Sequence, residues 1–214
     1  MANTHISRIE DQERAMERYY ELQSKIYDAT RWAFLFGRRR IIRELPFPIG
    51  KEAKILEVGC GTGYNLRRLA RWFPNAQITG IDVSAHMINK AGQATAEFGK
   101  RVQLIQEPYA FGNGRFAEWM DAVLFSYSLT MINPQWKELI VQAKRDLRPG
   151  GIIAVVDFHD SRFSWFRSHM SNHHVRMDGH LLPFLNKTFS PMSAEVLPAY
   201  GGIWSYFLFL GRKE

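Results

Sequence analysis

The chain has 214 residues, 46% of them hydrophobic and 23% charged, which suits one globular domain rather than a disordered chain. The longest aliphatic run, IIAVV at 152–156, is far too short to span a bilayer, and the opening MANTHISRIEDQERAMERYY lacks the apolar core of a signal peptide. Lys and Arg number 28 against 21 Asp and Glu, a net +7 that fits an anionic partner or a basic, soluble surface equally well.

In chain order, residues 6–45 read as helical. Acids and bases alternate through IEDQERAMERYYELQSKIYD, with Ile9, Met16, Tyr20 and Tyr27 among the residues of a packing stripe. RWAFLFGRRRII at 31–42 then sets bulky apolar residues beside three arginines. Five arginines and no acid lie between Arg31 and Arg43. At about 100° per helical residue, Arg38, Arg39 and Arg40 cover an arc of about 200° and cannot share one face, and Gly37 is a natural break. Two readings stay open. Either Trp32, Phe34, Leu35 and Phe36 face the active site or lipid while the arginines meet anionic headgroups, or the aromatics are core and the arginines pair with acids such as Glu44. FPIG at 47–50 ends this region.

Residues 54–157 alternate strand and helix. KILEVG (54–59) is a strand ending in glycines, and YNLRRLARWF is the helix after it. QITGIDV (77–83) and VQLIQ (102–106) are strands around the helix AHMINKAGQATAEFG. DAVLFSYS (121–128) and GIIAVVDF (151–158) are strands around WKELIVQAKRDL, which RPGG closes. Strands separated by helices pair in parallel through right-handed crossovers, which predicts a Rossmann-like, doubly wound α/β sheet with its ligand at the strands' carboxyl ends. Residues 159–214 are irregular, rich in His and aromatics, and finish in a strand-like YGGIWSYFLFLGRK that supplies a hairpin or antiparallel edge.

The chemistry concentrates in ILEVGCGTGYN (55–65). Gly59, Gly61 and Gly63 follow a strand and precede a helix, where small residues let backbone N–H groups approach a ligand. A dinucleotide fingerprint requires glycine at position 64, which is Tyr64, and the acid Glu57 suits a ligand with a cationic end. Nineteen residues after Gly63, Asp82 ends the second strand, where a carboxylate accepts both hydroxyls of a ribose. Cys60, the single cysteine, excludes an internal disulfide and fits a reducing compartment. His159, Asp160, His173, His174 and His180 match no common zinc spacing, so no metal is expected.

ILEVGCGTGYN, IDVSAHMINKA, DAVLFSYSLTMI and LRPGGIIAVVDF resemble, in order and spacing, the signature segments of class I S-adenosylmethionine-dependent methyltransferases. The resemblance implies S-adenosyl-L-methionine as cofactor. Glu57, Gly59, Gly61 and Gly63, with Cys60 in the same loop, surround its methionine part. Asp82 holds the ribose, Val83 and Met87 flank the adenine, and Ser126 completes the set. Glu107 in LIQEPYA stands where the family often reads the adenine amine, although Gln106 and Glu107 replace the usual Gly-Asp pair there.

The flanks YELQSKIYDATRWAFLFGRRRII and HHVRMDGHLLPFLNKTFSPMSAEVLPAYGGIWSYFLFLGRK look like those of bacterial diacylglyceryl-homoserine N-methyltransferases. These make the betaine lipid headgroup by three successive methylations. That likeness implies one domain over 1–214, with 1–50 a helical lid and membrane-contact segment, 51–158 the cofactor core and 159–214 the substrate side. It also implies a cytoplasmic enzyme, peripheral to the inner face of an anionic membrane, with no nucleic acid and no obligate protein partner. Phosphatidylethanolamine N-methyltransferases and small-molecule or quinone-precursor methyltransferases are the alternatives.

An acceptor amine must arrive neutral. An α-amino group of pKa about 7.7–8.0 is partly neutral already, so positioning matters more than a strong base. Tyr127, Asp157 and His159 are the expected hydrogen-bond acceptors for it. Tyr20, Tyr27, Trp32, Tyr127, Trp204 and Tyr206 are aromatic candidates for the quaternary product. Arg31 and Arg176 are the candidates for a carboxylate, with His180 beside them on the substrate side. Tyr27 and Arg31 serve equally well as a closure over the cofactor's own carboxylate.

Overall fold

The computed structural model describes residues 35–112 and 114–214. The chain divides into two compact units, residues 1–36 and 37–214. The second carries the sheet and its helices, while Tyr20, Tyr27, Arg31 and Trp32 lie outside the described residues.

Helix α1 (Arg38–Arg43) starts at Gly37, whose φ of 76° is the left-handed conformation that breaks a helix at low cost only for glycine. It buries Ile41 and Ile42. Strand β1 (Lys54–Val58) leads into α2 (Tyr64–Trp72), and β2 (Gln77–Asp82) into α3 (Ala85–Thr95). Strands β3 (Val102–Gln106) and β4 (Met120–Ser126) follow, then α4 (Trp136–Asp146) and the long β5 (Leu147–Phe158). Residues 148–151, expected to close the preceding helix, lie within β5 instead, which already starts at Leu147.

The region beyond is more regular than its composition suggests. It contains α5 (Ser164–Asn172), α6 (Leu181–Thr188), β6 (Ser190–Ala199) and β7 (Trp204–Arg212).

The seven strands form one sheet in the order β3-β2-β1-β4-β5-β7-β6. The pairs from β3 to β5 are parallel, while β7 runs antiparallel to both β5 and β6. This is the Rossmann-like α/β sheet with an antiparallel C-terminal edge. Every residue of β4 is buried because helices cover both faces of the central strands. Leu56, Val123, Phe125, Ile153, Val155, Phe207 and Phe209 form the core with Leu139 and Ile140 of α4 and Leu181 and Leu185 of α6. Each such side chain stabilises the fold by about 1.5–3 kcal/mol when fully buried. The order reverses between β1 and β4, so their carboxyl ends flank the crevice where doubly wound sheets bind ligands. Among the described residues no helix is long and apolar enough to cross a membrane.

Two of the three clustered arginines are engaged within the protein. Arg38 is buried and lies 3.9 Å over the Tyr64 ring, whose other neighbour is Arg68 at 3.8 Å. Arg40 pairs with Glu44 and with Glu195 of β6, tying α1 to the sheet edge. Arg39 is exposed. Of the two readings left open for these arginines, Arg40 follows the one that pairs them with acids such as Glu44, and Arg38 is taken up by stacking on Tyr64.

Candidate active site

The segment Gly59–Gly63 leaves β1 and turns into α2. Its first amides are tied to the neighbouring strand: Gly59 and Cys60 N–H both donate to the Ile81 carbonyl, at 2.9 and 3.0 Å. A Cβ on Gly59 would stand 2.9 Å from the Ser128 Cβ, and one on Gly63 would stand 3.0 Å from the Ala91 backbone. Both glycines also have positive φ, so the path needs glycine twice over. Cys60 is buried, and its Sγ faces Gly80, where an added Cβ would approach within 3.0 Å. Its small side chain lets β1 and β2 close up.

Asp82 stands at the end of β2. Its Oδ2 accepts from Gly61 N–H at 2.8 Å and its Oδ1 from Ser84 N–H at 3.0 Å. Ser84 in turn caps α3 by accepting from Met87 N–H at 3.3 Å. A carboxylate has about four lone-pair sites, so Asp82 keeps acceptor capacity for two hydroxyls. Val83 is 68% exposed beside it, and Met87 is half-buried. Glu57 is buried at the end of β1 and accepts from Asn65 Nδ2 at 2.7 Å. Glu107, after β3, is 3.1 Å from Arg115. Asn65 Oδ1 and Ser126 Oγ are buried near these strand ends without a hydrogen-bond partner among the described residues. The glycine path, the Asp82 carboxylate and these two polar atoms fit a nucleoside with hydroxyls and a zwitterionic tail.

Across the crevice, β4 ends in Ser126-Tyr127-Ser128-Leu129-Thr130. Tyr127 is buried with φ 55°, a strained conformation for a non-glycine residue, and its ring meets Phe158 edge-on at 4.8 Å. Asp157 sets the path of this segment. Its Oδ2 accepts from Leu129 and Thr130 N–H, and its Oδ1 from the Thr130 hydroxyl and Phe158 N–H. Burial outweighs these bonds and pushes its carboxyl up to about 6. Asp157 is thus a positioning residue, not the amine acceptor expected of it: it is fully buried and four donors fill its lone pairs. Thr130 was not legible as a partner because it lies 27 residues from Asp157, and Asn65, only eight residues from Glu57, meets it only through the turn between β1 and α2.

Trp204 is 1% exposed, with Phe158 at 5.1 Å and Tyr206 at 6.1 Å. The expectation of substrate contact at Trp204 is corrected, since that packing covers its ring faces. His159 follows β5 and is half-buried. Burial lowers its pKa, which keeps the imidazole neutral near pH 7, and its Nδ1 is buried without a hydrogen-bond partner. His180 pairs through Nδ1 with Asp178, and its ring meets Trp136 edge-on at 4.7 Å. Burial lowers His180 as well, against the pull of Asp178. Arg176 is exposed and holds Asp178 through Nε and Nη2, both at 2.8 Å. Among the described residues no three His, Cys, Asp or Glu side chains group as metal ligands.

Residues 55–151 match the family described as "Methyltransferase domain". The trans-aconitate 2-methyltransferase of Deinococcus radiodurans is 31% identical over 115 residues, 54% of this chain and 40% of that protein. The demethylmenaquinone methyltransferase of Tropheryma whipplei is 32% identical over 147 residues, 65% of this chain and 58% of that protein. The chain thus spans about half the length of these curated relatives. The structure of Burkholderia thailandensis 1,6-didemethyltoxoflavin-N1-methyltransferase, with 1,6-didemethyltoxoflavin and S-adenosylhomocysteine bound, superposes with a TM-score of 0.69 at 18% identity, over 95% of this chain and 89% of that one. The fold is that of the class I methyltransferases.

Proposed function

We propose that this chain, whose residues 55–151 are a methyltransferase domain on the class I fold, is an S-adenosylmethionine-dependent N-methyltransferase of a membrane lipid headgroup. Its acceptor is diacylglyceryl-homoserine, methylated to the betaine lipid. The observation that carries the transferase reading is the apposition of the glycine path and the Asp82 carboxylate at the β1/β4 switch point. Bound S-adenosylmethionine would supply an electrophilic methyl group on its sulfonium, with the thioether as leaving group for an acceptor amine in line with the C–S bond.

The chain's own residues bind and orient. Asp82 accepts ribose hydroxyls, and the turn at Gly59–Gly63 that it anchors through Gly61 takes the methionine part. Ser126 Oγ offers a hydrogen bond that no described residue uses. His159, half-buried just after β5 with a neutral imidazole, is the side chain suited to accept a hydrogen bond from the amine. Tyr127 at the end of β4, its ring braced edge-on by Phe158 at 4.8 Å, is the aromatic side chain for the cationic product.

Support for the lipid comes from α5 and the residues before it. Phe163 and Trp165 are 37% and 62% exposed, their rings are 6.3 Å apart, and Arg162 stacks 5.4 Å from Phe163. Exposed aromatic rings flanked by arginines suit the interface of an anionic bilayer. The names of the curated relatives favour a second reading, a small-molecule or quinone-precursor methyltransferase. Mass spectrometry of lipids methylated by the purified protein separates the two. Mono-, di- and trimethylated diacylglyceryl-homoserine are expected. Methyl transfer to demethylmenaquinone or trans-aconitate with none to the lipid overturns the lipid assignment and keeps the transferase.

A further inference from the structure

A cavity of about 510 Å³ opens between the segment that leaves β4 and the stretch that follows α5. Met131, Arg167, Ser171, His174, Arg176 and Met177 line it, and no acid does among the described residues. Between Asp160 and Asp178 the chain carries Arg162, Arg167, Arg176 and three histidines, with no Asp or Glu. The two lining arginines are held from behind. Arg176 places Nε and Nη2 on one oxygen of Asp178, and Arg167 donates through Nη1 to the Ser161 carbonyl at 2.8 Å, with Asp160 at 3.6 Å. Asp160 and Asp178 themselves face each other across an antiparallel bridge. A guanidinium has five N–H donors in a fixed fork, so these contacts orient each arginine and leave further donors for an anion.

The cavity is also tied to the reaction side of the sheet. Arg176 N–H donates to the Thr130 carbonyl at 2.9 Å, and Thr130 is the residue that Asp157 holds at the end of the β4 segment. Met131, 39% exposed, and Met177 give the cavity an apolar wall beside the cations. A ligand that fits has an anionic group next to a hydrocarbon portion.

We infer that this cavity takes the carboxylate or phosphate group of the methyl acceptor, with Arg167 and Arg176 as its two cationic contacts. The assignment rests on the proposed transferase function and adds a specificity-determining site to it. An acceptor carrying an acid is anchored there while its amine extends toward His159, whereas a plain amine lacks the anchor.

Two measurements on the full chain test this. The first uses inorganic phosphate as probe, titrated by 31P NMR into protein saturated with S-adenosylhomocysteine. Saturable binding is expected in the wild type, weakened about tenfold or more in Arg167→Gln/Arg176→Gln. Both side chains are about half exposed, so the substitutions are compatible with folding. Absence of saturable binding, or binding that the double substitution leaves intact, overturns the site.

The second compares diacylglyceryl-homoserine with its carboxyl methyl ester as acceptors. A lower KM for the acid is expected, and Arg176→Gln should bring the two together. Equal KM values in the wild type overturn the acceptor assignment, as does phosphate that binds without competing with the acceptor. If neither lipid is methylated, the headgroup reading falls and the phosphate titration still decides the cavity.

Discussion

The amide of Gly61 donates to Oδ2 of Asp82 at 2.8 Å, so the residue that ends β2 also holds the middle of the loop leaving β1. The other oxygen accepts from Ser84 N–H at the start of α3. One carboxylate therefore fixes both walls of the proposed nucleoside site before any ligand enters. Asp82→Ala removes a ligand contact and the loop's anchor together. Calorimetry should show S-adenosylmethionine affinity falling by about 2–3 kcal/mol, as for the loss of hydrogen bonds to a charged group. Asp82→Asn keeps one acceptor oxygen and should fall between. Unchanged affinity in Asp82→Ala would remove the ribose from this position.

The contact between Gly59 and Ser128 makes a second test, of packing. Gly59→Ala places a methyl 2.9 Å from the Ser128 Cβ at a φ of 72°. The left-handed backbone alone costs a non-glycine residue about 1–2 kcal/mol, with the clash in addition. Thermal unfolding should register the loss. Adding Ser128→Gly should restore only the steric part, so the double variant is expected to lie between Gly59→Ala and the single Ser128→Gly. A Gly59→Ala protein as stable as the wild type contradicts the geometry.

Asp157 gives stability a pH dependence with a definite sign. Its folded carboxyl is pushed up to about 6, above the unfolded value near 3.9, so the folded state binds the proton more tightly. Its contribution is fully present below about pH 4 and is lost as pH rises through about 6, a change on the order of 2–3 kcal/mol. Relative to Asp157→Asn, the wild type should therefore lose stability between those pH values in urea titrations. A difference that is flat with pH, or that rises, would show that the four hydrogen bonds outweigh burial.

Motif and topology were legible where local signals agree with the fold. The glycine path, Asp82 and the five strands of the core follow from periodicity and turn residues, and they stand where the alternation places them. Edge strand β6 was not legible, because Pro191 and Pro198 argue against a strand. It tolerates them at the sheet's edge, where only β7 needs its backbone. Helix α5 hid in a stretch of histidines and aromatics with few strong helix formers. Asp157 read as an amine acceptor because a carboxylate at a strand's carboxyl end suits one. Only the burial of its side chain and the donors at Leu129 and Thr130 reveal its holding role.

The three arginines at 38–40 and the aromatics of α5 make opposite predictions about lipid. Arg38 stacks on Tyr64 and Arg40 bridges two glutamates, so Arg38→Ala/Arg40→Ala should act mainly on stability. The buried stack contributes about 1–2 kcal/mol, and the half-exposed ion pairs under about 1 kcal/mol each. Binding to anionic vesicles should change little in that variant once it is folded. Trp165 and Phe163 are exposed, and Arg162 has its guanidinium beside them. Each basic residue near an anionic surface contributes about 1 kcal/mol, and the aromatic rings add burial at the interface. Phe163→Ala/Trp165→Ala should therefore release the protein from phosphatidylglycerol vesicles in a flotation assay without lowering its melting temperature. If the arginine variant releases it and the aromatic variant does not, the membrane contact belongs to residues 38–40 after all, and the exposed rings of α5 serve another surface.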